Sequence, residues 1–264
     1  MKPPNRNLNS ASFGKVLLAW CVHSYTALGL VLAGLIGVCV VHGTQTEFAW
    51  AFVLMWIATI IDSTDGFFAR AVGVKQVLPQ FDGRRLDDLT DFLNYTFLPL
   101  LLIWRAELVP PGAAGVLLFC VVASAYGFCQ ADAKTDDGYF LGFPSYWNLV
   151  AFYLYLLGFD KGGAAVLLGL FAILTFVPIR YLYPSQPGFL NRITSLAGII
   201  WALYLLWLLH LLFDAGSLVT ASITHMARMS LVFPAYYFLA SLVITFRVWS
   251  RKNAQGFVSS TIGQ

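Results

Sequence analysis

"VLLAWCVHSYTALGLVLAGLIGVCVV" runs from Val16 to Val41 without a single charged residue. A helix needs about 20 consecutive apolar residues to cross a bilayer, and this run exceeds that. It is also too long for the apolar part of a cleaved secretory signal, which spans about 7–15 residues, and no small-residue cleavage site closes it. The stretch reads as a first membrane helix that is retained.

The rest of the chain extends this reading. Of the 264 residues, 59% are hydrophobic and only 11% charged, and the mean hydropathy is +0.73. Soluble domains carry about 25% charged residues. An all-α, polytopic membrane helix bundle is expected, with further segments near 47–69, 88–104, 112–131, 145–159, 162–183, 194–213 and 229–249. That makes about eight crossings. With the N-terminus in the cytoplasm, 13 of the 16 lysines and arginines fall on the cytoplasmic side, and Arg105, Lys161 and Arg228 lie outside. The positive-inside rule thus puts both termini in the cytoplasm. Residues 1–250 read as one integral-membrane domain and 251–264 as a short cytoplasmic tail. The stretch 214–228 is too polar for lipid and is expected as an outer-face loop or interfacial helix. Trp50, Trp104, Tyr146, Trp147, Tyr181, Tyr183 and Trp249 sit at segment ends, as an aromatic belt does. The four cysteines lie in apolar segments without metal-type spacing and read as buried thiols. No nucleic-acid partner is expected.

One stretch departs from this profile. "DSTDGFFARAVGVKQVLPQFDGRRLDDLTD", Asp62 to Asp91, holds six of the 13 acidic residues. Asp62 and Asp65 are three residues apart and share a face at the cytoplasmic end of the second helix. Gly66 and Ala69 are small residues on that face, and Arg70 follows where the helix leaves the membrane. Gly83, Asp87 and Asp91 repeat every four residues and form a stripe at the start of the third helix. Two antiparallel helices would then turn Asp62 and Asp65 toward Asp87 and Asp91. Asp82 and Asp88 read as solvated loop charges. Intramembrane carboxylates point to function. Ionising four of them together without a counter-charge costs on the order of several kcal/mol. Divalent cations meet that cost, and an all-oxygen ligand set suits Mg²⁺ or Mn²⁺. Two such ions about 3.5–4 Å apart are a common device for displacement at phosphorus.

The pattern D-x2-D-G-x2-A-R…G-x3-D-x3-D, filled here by Asp62, Asp65, Gly66, Ala69, Arg70, Gly83, Asp87 and Asp91, resembles the signature of the CDP-alcohol phosphotransferases, membrane enzymes of phospholipid synthesis. Every defining position is matched. Twelve residues, Ala71 to Asp82, separate Arg70 from Gly83, a longer gap than most of the family has. In this the chain is similar to one branch, the bacterial phosphatidylcholine synthases. The loop "DAKTDDGYFLGFPSYWN" (Asp132 to Asn148) resembles a segment of the same branch. Where other members carry Asn-x-x-Thr in the first helix, this chain has His23 and Thr26, and His23 reads more simply as a packed, hydrogen-bonded histidine.

The resemblance implies transfer of the phosphatidyl group of CDP-diacylglycerol to choline, releasing CMP, at the cytoplasmic face of a bacterial inner membrane. It implies two ions, Mn²⁺ or Mg²⁺, held by Asp62, Asp65, Asp87 and Asp91, with Asp91 also the general base and Asp87 beside it. Asp65, Gly66, Ala69, Arg70 and Gly83 would bind CDP-diacylglycerol, with Arg70 on the diphosphate. Membrane lipids are the surroundings, and a homodimer is compatible. A quaternary ammonium is held by aromatic faces. Tyr95 lies one turn beyond Asp91 and is the first candidate for choline, followed by Tyr126, Tyr146 and Trp147. The alternatives are another acceptor in the same family (serine, inositol or glycerol phosphate), an aspartate-rich prenyltransferase, which lacks D-G-x2-A-R, and a cation- or proton-coupled transporter. The last calls for ionisable residues spread over several helices at mid-membrane depth.

Overall fold

A computed structural model describes residues 12–130, 139–182 and 189–262. Lys2, Arg6, Lys134, Tyr183 and the first part of the 132–148 loop lie outside the described residues.

Helix α1 (Phe13–His42) and α2 (Gln45–Val72) form an antiparallel hairpin. The turn between them needs only two residues. Gly43, at φ 69°, takes the left-handed C-cap that a residue without Cβ adopts at least cost. Thr44 then caps α2 by accepting from the Glu47 N–H at 3.2 Å. Helix α2 ends at Gly73 in the same conformation. A short α3 (Val74–Val77) leads to α4 (Gly83–Asp91), whose N-cap is Asp82, accepting from the Arg85 N–H. Asp82 is thus an exposed cap paired with Arg85 at 3.2 Å, in line with its reading as a loop charge.

Helix α4 passes through a π-helical turn (Phe92–Phe97) into α5 (Leu98–Arg105). Then come α6 (Ala114–Cys129), α7 (Trp147–Leu157) and α8 (Lys161–Leu174), followed by α9 (Phe189–Asp214), α10 (Ala221–Ser230) and α11 (Val232–Ile262). The protein is an all-α, multi-pass membrane bundle. Among the described residues, five stretches are long and apolar enough to cross a bilayer: α1, α2, Pro111–Cys129, Asn191–Asp214 and Ala221–Ser250. Helices α7 and α8 are apolar but shorter, and the expected segment 88–104 is the stretch interrupted by the π-turn.

The structure refines several of these expectations. The segment 162–183 stops as a helix at Leu174. Beyond it Pro178 lacks an N–H to donate, and the chain extends into β2 (Arg180–Leu182). This strand pairs antiparallel with β1 (Tyr139–Leu141) in the 132–148 loop. Gly142 (φ 82°) closes that junction: a Cβ there would collide with the Thr175 carbonyl oxygen. Residues 221–230 form a capped helix, the helical one of the two forms expected for this stretch, with Thr220 accepting from the Ile223 N–H, and lead on to α11. Helix α11 runs to Ile262. Finally, Trp147 and Tyr181 are fully buried in the core, while Trp50, Trp104 and Trp249 are exposed as belt residues are. Of the cysteines, only Cys39 and Cys120 are buried; Cys21 and Cys129 lie on the outer surface, and all four are free.

Candidate active site

The site is assembled by α1, α2 and α4, and its geometry begins with one close approach. At Gly29 of α1 an added Cβ would collide with the Thr90 methyl of α4, so the missing side chain lets the two helices come together. Asn94, in the π-turn, closes the same contact. Its amide nitrogen donates to the Gly29 carbonyl at 3.0 Å and to the Thr90 carbonyl at 2.9 Å. Thr26, one turn before Gly29 on α1, donates its hydroxyl to Asp65 Oδ2 at 2.7 Å.

With α1 fixed between them, α2 and α4 turn their carboxylates to one point. Asp62, Asp87 and Asp91 each offer an oxygen within 4.8 Å of the others. Tyr95 donates its hydroxyl to Asp62 Oδ2 at 2.8 Å. Asp91 Oδ1 is buried and has no hydrogen-bond partner among the described residues. The four aspartates, Thr26, Thr90, Asn94 and Tyr95 all line one small cavity, of about 10 Å³, the size of a single water. A tight, all-oxygen cluster with an orphaned buried carboxylate oxygen fits a hard divalent cation.

The flanking positions of the motif pack as follows. Arg70 is exposed and folds back along α2: its Nη1 lies 3.2 Å from where a Gly66 Cβ would be. Ala69 packs on a small apolar cluster of Ala19, Val22, Val74 and Leu78. A Cβ at Gly83 would lie 2.6 Å from His23 Cε1. The neighbour that Gly83 admits is therefore the His23 ring, itself buried against Phe81 at 4.4 Å and Trp20 at 5.9 Å. His23 is packed, as expected, yet its Nε2 has no hydrogen-bond partner among the described residues.

No family model matches the chain. Known proteins do. It is 39% identical over 195 residues to a phosphatidylcholine synthase of Legionella pneumophila, covering 73% of this chain and 72% of the relative. It is 32% identical over 237 residues to the phosphatidylcholine synthase of Borreliella burgdorferi, covering 89% of this chain and 98% of that protein. A third, from Bradyrhizobium diazoefficiens, is 37% identical over 211 residues, 79% of this chain and 78% of the relative. The chain belongs to the phosphatidylcholine synthase family.

In this member of the phosphatidylcholine synthase family, the structure brings all four motif aspartates and Tyr95 to one cavity. Asp65 stands slightly apart, turned to Thr26 rather than into the tightest group of three. Tyr126, Tyr146 and Trp147 do not line the cavity. Tyr126 is exposed with its ring 4.9 Å from Phe176. Trp147 is buried, its Nε1 donating to Ser124 at 2.7 Å and its ring edge-on to Phe143. Sequence reasoning missed Thr90, Asn94 and the Gly29 contact. Asn94 was detectable, since it follows Asp91 by three residues on the same stripe. The Gly29 contact was not, because nothing local marks which helix a glycine faces.

Proposed function

We propose that this protein makes phosphatidylcholine by transferring the phosphatidyl group of CDP-diacylglycerol to choline, with CMP as the leaving group. The observation that carries the reading is the convergence of the half-buried Asp62, Asp87 and Asp91 within 4.8 Å of one another, in a chain of this family. The reaction forms a bond between the choline oxygen and the β-phosphorus. It breaks the bond from that phosphorus to the oxygen bridging it to CMP. Such transfers depend mainly on positioning and charge stabilisation.

Asp91 is the general base: its unpartnered Oδ1 takes the hydroxyl proton as the choline oxygen attacks. Asp62, Asp65, Asp87 and Asp91 would hold Mn²⁺ or Mg²⁺, two ions on the charge count, and the metal would supply charge neutralisation at the diphosphate. Tyr95 holds Asp62 in register and lines the cavity as the choline contact, whereas Tyr126, Tyr146 and Trp147 stand away from it. Arg70, exposed at the end of α2, receives the diphosphate. Gly66, Ala69 and Gly83 would bind CDP-diacylglycerol beside it, with Arg70 and the His23 ring moving off Gly66 and Gly83 to admit the nucleotide. The small size of the cavity requires the site to open toward the bilayer for the lipid substrate.

On this reading the protein is a multi-pass protein of the bacterial inner membrane. Residues 1–250 form its one catalytic domain, its site faces the cytoplasm, lipids surround it, and a homodimer is an assembly it can form. The decisive assay uses purified protein in detergent with CDP-diacylglycerol, Mn²⁺ and labelled choline. Choline-dependent CMP release with labelled phosphatidylcholine supports the reading. Release that depends on serine or glycerol phosphate and not on choline overturns the acceptor.

A further inference from the structure

Asn94 is 1% exposed and stands in the π-turn that begins one residue after Asp91. Its two ends have different fates. The amide nitrogen gives both its hydrogens to backbone carbonyls, Gly29 on α1 and Thr90 on α4. Those two acceptors fix which end is nitrogen, since an oxygen placed there would face two carbonyl oxygens at about 3 Å. The amide oxygen is then committed to the other direction. It is buried, has no hydrogen-bond partner among the described residues, and belongs to a residue lining the aspartate cavity. A buried acceptor without a donor costs on the order of the desolvation of that group unless something arrives to satisfy it. The ionised carboxylates around it are themselves acceptors, so the partner that arrives is a cation or a water molecule.

We propose that Asn94 Oδ1 is a neutral oxygen contact of the cation site formed by Asp62, Asp87 and Asp91. Asparagine carbonyl oxygens serve hard divalent cations as carboxylates do. Here the neutral ligand adds an oxygen without adding charge to a cluster that already holds four aspartates. The same side chain sets the spacing of α1 and α4, so the packing of the helices and the geometry of the site are fixed by one residue. The widened π-turn, a feature frequent at functional sites, presents Asn94 and Tyr95 to the cavity together.

The inference rests on the reading of the aspartates as a cation site, and the experiment separates the two. Purified wild-type protein in detergent is titrated with Mn²⁺ alone, followed by electron paramagnetic resonance, and its melting temperature is read in EDTA and in Mn²⁺. Wild-type protein that binds no Mn²⁺ overturns the cation site itself. If it binds, Asn94→Ala is expected to weaken Mn²⁺ about tenfold, the scale of losing one contact around a metal, and to shrink the melting shift that Mn²⁺ produces. An Asn94→Ala protein with wild-type Mn²⁺ affinity, melting lower by the same amount in EDTA and in Mn²⁺, overturns the inference and leaves Asn94 as a helix clamp. Asn94→Asp provides the second arm should the alanine variant not fold. It keeps an oxygen and loses both donors, so its melting temperature falls in EDTA while the Mn²⁺-induced rise equals or exceeds that of the wild type. A smaller rise than in the wild type overturns the inference.

Discussion

The Tyr95 hydroxyl donates to Asp62 Oδ2 across 2.8 Å, tying the π-turn after α4 to the aspartate face of α2. The bond links residues 33 positions apart in sequence and ties together the segments that carry the two halves of the acidic motif. It also gives one residue two separable attributes, a hydroxyl that orients a carboxylate and a ring that borders the cavity.

Tyr95→Phe keeps the ring and removes the donor. A hydrogen bond to a charged group contributes about 1.5–3 kcal/mol, so turnover is expected to fall about tenfold or more with little change in the KM for choline. Tyr95→Leu, which also removes the aromatic face, should raise that KM in addition. Steady-state kinetics on both variants check this. An unchanged turnover in Tyr95→Phe would remove the positioning role.

Asp91→Asn is expected to lower turnover by at least about 10²-fold, the lower bound of what a positioned general base contributes. Its effect on folding has the opposite sign. Removing one charge from a crowded carboxylate cluster relieves repulsion, so the melting temperature in EDTA should hold steady or rise. CMP release and thermal unfolding, measured on the same preparation, test both halves.

Gly29→Ala places a methyl against the Thr90 methyl. Overpacking of this kind costs about 1–3 kcal/mol, and here it also pushes α1 from the helix that carries Asp87 and Asp91. Thr90→Ser removes the obstructing methyl and retains the hydroxyl that donates to the Leu86 carbonyl at 2.8 Å. The double variant should recover most of the lost stability and activity, while additive losses would show that the contact is not the cause.

EDTA should abolish turnover while leaving the helical far-ultraviolet circular dichroism in place, because the bundle is held by buried apolar side chains far beyond the site. Added Mn²⁺ or Mg²⁺ should restore activity. Retained turnover in excess chelator would sink the metal reading.

Much of this was legible in the sequence. Val16 to Val41 is a membrane helix by length alone, and the i, i+3 and i, i+4 spacings of Asp62, Asp65, Asp87 and Asp91 follow from 3.6 residues per turn. Local periodicity puts those residues on shared faces wherever the helices go. The end of α8 at Leu174 and the pairing of Tyr139–Leu141 with Arg180–Leu182 were not legible. Three-residue strands carry no period to detect, and their pairing is set by segments about forty residues apart.

What the sequence determined by itself was which groups exist and on which helix faces: four aspartates, the glycines, an arginine and a bilayer-length bundle around them. Only the tertiary structure decided their partners. It turned Asp65 to Thr26, gave Asp62 the hydroxyl of Tyr95, put the ring of His23 against Gly83, and left Asp91 Oδ1 and Asn94 Oδ1 without a partner among the described residues. The reason is physical. A helix face follows from the repeat of its own residues, whereas a hydrogen-bond partner depends on the rotation and separation of two helices, and these are set by side chains such as Gly29 and Thr90 that lie far apart in the chain.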